Sequence, residues 1–182
     1  VEDNLNKNIL YVGNDHGIYI SFDQGKNWEP FSKGLTSAAV HDLVIQTDEK
    51  HLLVGTHGRS IYLADIKKIQ DLSDEIIESS LYMYPLDNIK KSNSWGVQRS
   101  IWSQAYSPKL DITLFSSSST SYNISINDTN GNNVYKSEGK LDKGFNFINY
   151  NLMNDSEYLD KGVYKVLIIT DNDNLEKEFE IQ

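Results

Sequence analysis

No cysteine occurs among the 182 residues. A disulfide framework and a thiolate metal site are therefore excluded, although the lack of cysteine does not place the chain in the cytosol. Only three prolines and two arginines, Arg59 and Arg99, are present. Basic runs are missing too. Nine acids face six bases up to Lys67, seventeen face eleven after it, and the net charge is −9. Phosphate backbones demand clustered Lys and Arg, so no nucleic-acid partner is expected. The longest apolar run, around Val166-Leu167-Ile168-Ile169, is too short for a membrane span. No signal-peptide pattern opens the chain. Helical spacing is scarce as well. It is confined to Ile66, Ile69, Leu72, Ile76 and Ile77 in "DIKKIQDLSDEII", which reads as a short connecting helix.

Strand signal fills the rest. Tyr, Ile, Val, Phe and Thr recur in short alternating runs punctuated by Gly, Asn and Asp. "ILYVGNDHGIYIS" from Ile9 and "LLVGTHGRSIYLA" from Leu52 form an internal repeat. Val12-Gly13 and Val54-Gly55 lie 42 residues apart, and Ile18-Tyr19 and Ile61-Tyr62 lie 43 apart. A period of about 40–45 residues with four short strands per unit is the spacing of a β-propeller blade. The first unit offers strands around Ile9–Gly13, Gly17–Phe22 and Trp28–Phe31, and lacks a clear opening strand. The second offers strands near His41–Gln46, His51–Thr56 and Ser60–Asp65, and lacks a closing one. Two blades cannot close a ring. The chain therefore reads as the C-terminal portion of a longer protein, or as one whose remaining blades come from other segments.

A second pattern begins near Trp95. "LDITLFS" (110–116), "YNISIND" (122–128), "NNVYKSE" (132–138), "FNFINYNL" (145–152), "GVYKVLIIT" (162–170) and "LEKEFEI" (175–181) are strand candidates. Asn130-Gly131 is a strong hairpin signal. Six or seven short strands in such a length suggest an immunoglobulin-like β-sandwich. The expected fold is all-β: about two incomplete propeller blades over 1–67, a connector with a short helix over 68–94, and the sandwich over 95–182.

"SFDQGKNW", from Ser21, poses the first chemical question. Ser21 and Asp23 are short acceptors placed to bond backbone N–H groups in a turn, Gly25 can take positive φ, and Trp28 can pack back over the hairpin. Every fixed position is accounted for without catalysis. Ser21, Asp23, Gly25 and Trp28 also match the Asp-box pattern, and the chain resembles the Asp-box, or bacterial neuraminidase repeat, propellers of sialidases and sortilin-type receptors. "VHDLVI" and "GTHGRSIY" resemble the last blade of a group of bacterial secreted proteins labelled glycosyl hydrolases. "SWGVQRSIWSQAYSPKLDITLF", "DKGFNFINYNL" and "LDKGVYKVLII" are similar to the immunoglobulin-like, flagellar hook-capping-like domain that follows the propeller there. The resemblance implies a bacterial setting that is extracellular, periplasmic or outer-membrane-associated. It also implies that the Asp box is a peripheral structural loop.

Candidate ligand-facing residues are His57 and Arg59 in "THGRS", where Gly55 and Gly58 let the backbone turn sharply, and the adjacent His41 and Asp42. Arg can hold a carboxylate bidentately, and an Asp can orient a His base. The plain alternatives are a local ion pair for Arg59 and a turn cap for His57. Two arginines cannot assemble the sialidase triad, and no catalytic residue is assigned. All four histidines, His16, His41, His51 and His57, precede Lys67 with no spacing that points to three zinc ligands. No metal and no cofactor is expected. "DTNGNN" lacks the glycine and glutamate of a calcium loop and reads as a hairpin. Trp95, Trp102, Tyr106 and Tyr122 read as core packing, with a sugar-stacking surface as the alternative. The leading expectation is a non-catalytic recognition or scaffold region that binds a protein or glycan, with further propeller blades as partners. The alternatives are the accessory end of a glycoside hydrolase whose catalytic residues lie upstream, and an assembly or export docking domain.

Overall fold

Alternating apolar residues separated by Gly, Asn and Asp turns favour hairpins, and hairpins dominate the computed structural model, which describes residues 1–31, 35 and 38–182. The architecture is all-β, with two short helices among the described residues. The chain divides into two units, Val1–Ser73 and Asp74–Gln182.

The first unit holds two three-stranded antiparallel sheets. One contains β1 (Leu10–Asn14), β2 (Gly17–Ser21) and β3 (Glu29–Pro30), in that order. The other contains β4 (Val40–Gln46), β5 (His51–Thr56) and β6 (Ile61–Asp65). Both sequence repeats fold as hairpins in the same register. Val12 faces Tyr19 and Gly13 faces Ile18 in the first; Val54 faces Tyr62 and Gly55 faces Ile61 in the second. β4 precedes the repeated hairpin in its sheet, and β3 follows it in the other. The opening position of the first sheet, where the sequence offers no clear strand, is taken by the first three residues. Val1 and Tyr11 exchange bonds of 2.7 and 2.8 Å, Glu2 bridges Leu10, and the Asp3 N–H donates to the Ile9 carbonyl at 2.9 Å. Only one large apolar side chain lies in this tripeptide, so alternation could not reveal it.

β1 and β4 run close together. A Cβ built on Gly13 would sit 2.4 Å from Val40 Cγ1. Helix α1 (Lys67–Gln70) closes the unit. Ile66, Ile69 and Leu72 are buried, as their spacing predicts.

The second unit starts with α2 (Asp74–Glu78) and β7 (Leu81–Met83). It continues with β8 (Leu110–Ser116), β9 (Thr120–Asp128), β10 (Asn133–Leu141), β11 (Gly144–Tyr150), β12 (Met153–Asn154), β13 (Glu157–Tyr158), β14 (Gly162–Thr170) and β15 (Asn174–Ile181). One sheet has the order β10-β9-β14-β15 and another β11-β8-β7; β12 pairs with β13. β7 lies within the stretch 68–94 and pairs with β8, Leu81 against Ser116. Side chains from both larger sheets meet in one core. Ile124 and Ile126 face Ile168 and Val166 across β9 and β14. Leu110, Ile112 and Leu114 of β8 join the same cluster. Such directly opposed apolar pairs are the unit of sheet stability, and burying each aliphatic side chain contributes about 1.5–3 kcal/mol. No helix among the described residues is long and apolar enough to cross a membrane.

Candidate functional site

The turn between β2 and β3 is held by the chain's own side chains. Ser21 is fully buried; its hydroxyl donates to Asp23 Oδ1 at 2.8 Å and accepts the Gly25 N–H at 2.8 Å. Asp23 Oδ1 also accepts the Asn27 N–H at 2.8 Å, and Oδ2 accepts the Asn27 side-chain amide at 2.6 Å. Trp28 Nε1 donates to the Gly25 carbonyl at 3.0 Å. Gln24 (φ 59°) and Gly25 (φ 85°) are both left-handed, which brings these donors round to the carboxylate. The Asn27 backbone N–H, then its side chain, with help from Ser21, lower the Asp23 pKa to about 2. Both carboxylate oxygens are occupied, and nothing in the turn leaves Asp23 poised to accept a substrate proton.

His41, Asp42, His57 and Arg59 are all exposed. The β4–β5 register shifts between Val40 and Asp42, so His41 is the extra residue of a bulge. Strict alternation would send His41 and Asp42 to opposite faces; a bulge breaks that rule, and both are accessible. His57 lies just past β5, and its N–H donates to the Ala39 carbonyl at 2.9 Å. The bulge and this bond bring the His41 and His57 rings together, stacked with centroids 5.1 Å apart and planes 28° apart. The sequence did not pair them; a bulge leaves no clear mark in composition.

The loop that carries Arg59 is closed by its own ends. The Thr56 hydroxyl donates to the Ser60 carbonyl at 2.6 Å and accepts the Ser60 N–H at 3.1 Å. Gly58 takes φ 71°, and Ser60 takes φ 145°, an uncommon value for a residue with a side chain. Arg59 has no ion-pair partner among the described residues. Asp42 accepts its neighbour's Leu43 N–H at 3.0 Å. His41 and Asp42, with Tyr11, Gly13 and Val40, line a shallow depression of about 230 Å³; His57 and Arg59 lie outside it. The set offers two imidazoles and a free guanidinium, suited to hydrogen-bonding a carboxylate or a polar ligand. It contains no pair of carboxylates. Among the described residues no group of three His, Asp or Glu could hold a metal.

A second concavity, about 270 Å³ and mostly apolar, is lined by Ile18, Phe31, Leu35, Val54, Tyr62, Leu63 and Ala64. It lies beside the outer edge of β6, where Ile61 is 73% and Leu63 61% exposed. β6 pairs only with β5 among the described residues. In the matching place of the first sheet, the Ile18 carbonyl accepts the Phe31 N–H at 2.8 Å.

One buried polar cluster escaped sequence reasoning. Asp3 is fully buried; its carboxylate accepts the Leu5 and Asn6 N–H groups at 2.9 Å each and the Gln70 side-chain amide at 2.9 Å. Burial and the nearby Asp3 charge push the Tyr11 phenol well above its ordinary range. The cluster fastens the opening residues to α1, and its only sequence signal is an Asx-type turn in "DNLN". Of the four aromatics read as core, Trp95 is buried and Tyr122 packs against the core, but Trp102 and Tyr106 are exposed.

No protein-family model and no curated protein matches this chain.

Proposed function

We propose that Val1–Ser73 is a pair of Asp-box propeller blades and that Asp74–Gln182 is an immunoglobulin-like sandwich. Together they act as a non-catalytic recognition and scaffold region for a protein or glycan ligand. One observation carries this reading: the two repeated hairpins share one strand register about Val-Gly and Ile-Tyr. With Val1–Asp3 on its opening edge, the first sheet has four chain segments side by side, the number in a propeller blade. The self-bonded Ser21–Trp28 turn supports the same reading.

The ligand-facing surface in this reading is the His41–His57 stack with Asp42 and Arg59. Fold alone does not license an activity, and binding is the chemistry these groups support. The setting we propose is the bacterial surface or an extracytoplasmic space. A glycan array probed with this chain, followed by His57→Ala and Arg59→Ala variants, tests it. Binding that falls at least about tenfold in either variant supports the proposal. Glycoside hydrolysis by a longer form of the protein, through a carboxylate pair or an arginine triad, would replace it with the hydrolase reading.

A further inference from the structure

Between Trp95 and Pro108, both buried, the chain leaves the core of the second unit and returns. The excursion is pinned at its base. The Gly96 N–H donates to the Tyr106 carbonyl at 2.8 Å, and the Tyr106 N–H to the Val97 carbonyl at 3.3 Å. Gly96 takes φ 73°, and a Cβ there would meet the Tyr158 ring at 3.0 Å. Tyr158 in turn packs edge-on against Trp95, centroids 5.6 Å apart. The loop therefore stands on aromatic residues joined to the core.

Its tip is a second pinned turn, Ser100-Ile101-Trp102-Ser103. The Ser103 N–H and hydroxyl both donate to the Ser100 carbonyl, at 3.1 Å each. The Ser100 N–H donates to Ser103 Oγ at 3.0 Å, and the Trp102 N–H to Ser100 Oγ at 3.3 Å. The turn holds Ile101 and Trp102 outward, 84% and 91% exposed. No other large apolar side chain among the described residues is as exposed. Tyr106 is 57% and Val97 45% exposed on the same loop.

Charge singles out the same region. In a chain of net charge −9, residues 88–110 contain no Asp or Glu and four bases: Lys90, Lys91, Arg99 and Lys109. Lys91 is paired with Asp160 at 2.7 Å. Lys90, Arg99 and Lys109 are exposed and have no ion-pair partner among the described residues.

We propose that this tip is a reversible anchor for an anionic phospholipid surface. A specific protein interface needs about 800 Å² per partner and a complementary shape. Two adjacent side chains on the apex of a turn cover a small part of that area. A bilayer interface needs no shaped pocket: an indole settles at headgroup level, an aliphatic chain enters the acyl boundary, and bases meet anionic headgroups. Entry into a poorly hydrated layer also favours backbone groups bonded within the segment, and the serine bonds do this for the N–H groups of Ser100, Trp102 and Ser103 and for the Ser100 carbonyl. The proposal is independent of the propeller reading.

The test uses the whole chain with phosphatidylcholine vesicles prepared with and without phosphatidylglycerol. Cosedimentation with the phosphatidylglycerol vesicles is expected, weakening as salt rises. Quenching of tryptophan fluorescence by brominated lipid is expected as well. The double variant Ile101→Ser/Trp102→Ser should bind about tenfold more weakly or worse, and Arg99→Glu should weaken binding mainly at low salt. Circular dichroism should be unchanged in both, because the altered side chains are exposed. No vesicle binding by the unaltered chain, or equal binding by the double variant, overturns the proposal. So does capture of a protein partner through Trp102 without partitioning into vesicles, which would assign the tip to protein docking.

Discussion

Gly13 and Gly55 hold the same place in the sequence repeat, but their surroundings predict opposite responses to a methyl group. On Gly13 the new Cβ would lie 2.4 Å from Val40 Cγ1, 2.9 Å from Val40 Cβ and 3.3 Å from the Val40 carbonyl oxygen. Val40 is buried in β4, and two of these three contacts are too short to survive without a shift of strands. Overpacking of this kind costs typically about 1–3 kcal/mol. On Gly55 the nearest atom is Asp42 Cβ at 3.5 Å, an ordinary contact. The backbone there is open to alanine, so Gly55→Ala should be neutral or stabilising by about 0.4–1 kcal/mol through the unfolded chain. Urea unfolding of the two variants should thus differ by roughly 1–4 kcal/mol, with Gly13→Ala the weaker. Adding Val40→Ala to Gly13→Ala removes the 2.4 Å contact and leaves the 2.9 Å one. The double variant should therefore lose less than the sum of the singles. Equal stability of Gly13→Ala and Gly55→Ala would refute the close approach of β1 to β4 and the reasoning built on it.

Asp23→Asn should lower the urea midpoint at neutral pH. The depressed pKa of Asp23 means that its contribution is present above the ordinary carboxylate value of about 3.9. It is lost as pH falls through about 2, so the gap between variant and parent should close over that window, while a carboxyl NMR titration reads the pKa directly. Trp28→Phe keeps a ring but removes the Nε1 donor to Gly25, for a loss of about 0.5–1.5 kcal/mol by thermal unfolding. Asp3→Ala strips the acceptor from Leu5, Asn6 and Gln70 in a buried site and should cost at least about 1–3 kcal/mol in denaturant unfolding. Ile126→Ala, fully buried where both larger sheets of the second unit meet, should cost about 2–5 kcal/mol.

Strand positions were legible because the chain alternates and because Gly, Asn and Asp mark the turns. β8 and β14 fall on the predicted 110–116 and 162–170. The predicted connecting helix becomes two, α1 and α2, with Ile66, Ile69, Leu72 and Ile76 buried as their spacing demands. The opening pairing of Val1–Asp3 was not legible, since it rests on backbone bonds and a buried carboxylate rather than on apolar alternation. The candidate site was legible as separate residues and not as an arrangement. The stacking of His41 on His57 depends on a bulge and on one long-range bond from His57 to Ala39. Trp102 was misplaced for a different reason. An aromatic residue flanked by strands is usually core, and only the pinned serine turn turns this one outward.

The Ser21–Trp28 turn can be compared with a second turn in the same chain. Asp128, at the turn between β9 and β10, repeats the Asp23 clamp. The Asn132 N–H reaches one carboxylate oxygen at 2.9 Å and its side-chain amide the other at 2.9 Å, and the pKa falls with the Asn132 side chain as the first cause. The second clamp also accepts the Asn130 N–H at 2.8 Å. Asp-x-x-x-Asn closes a turn through its carboxylate in these two settings, whereas at Asp142–Asn146 the Asn146 side chain bonds the Asp142 backbone instead. The second turn has neither a buried serine beneath the loop nor an indole returning to a turn carbonyl. Ser21 and Trp28 supply both in the first. The propeller proposal accordingly rests on Ser21, Trp28 and the shared register of the repeated hairpins, and Asp23 by itself adds only that the turn is tight.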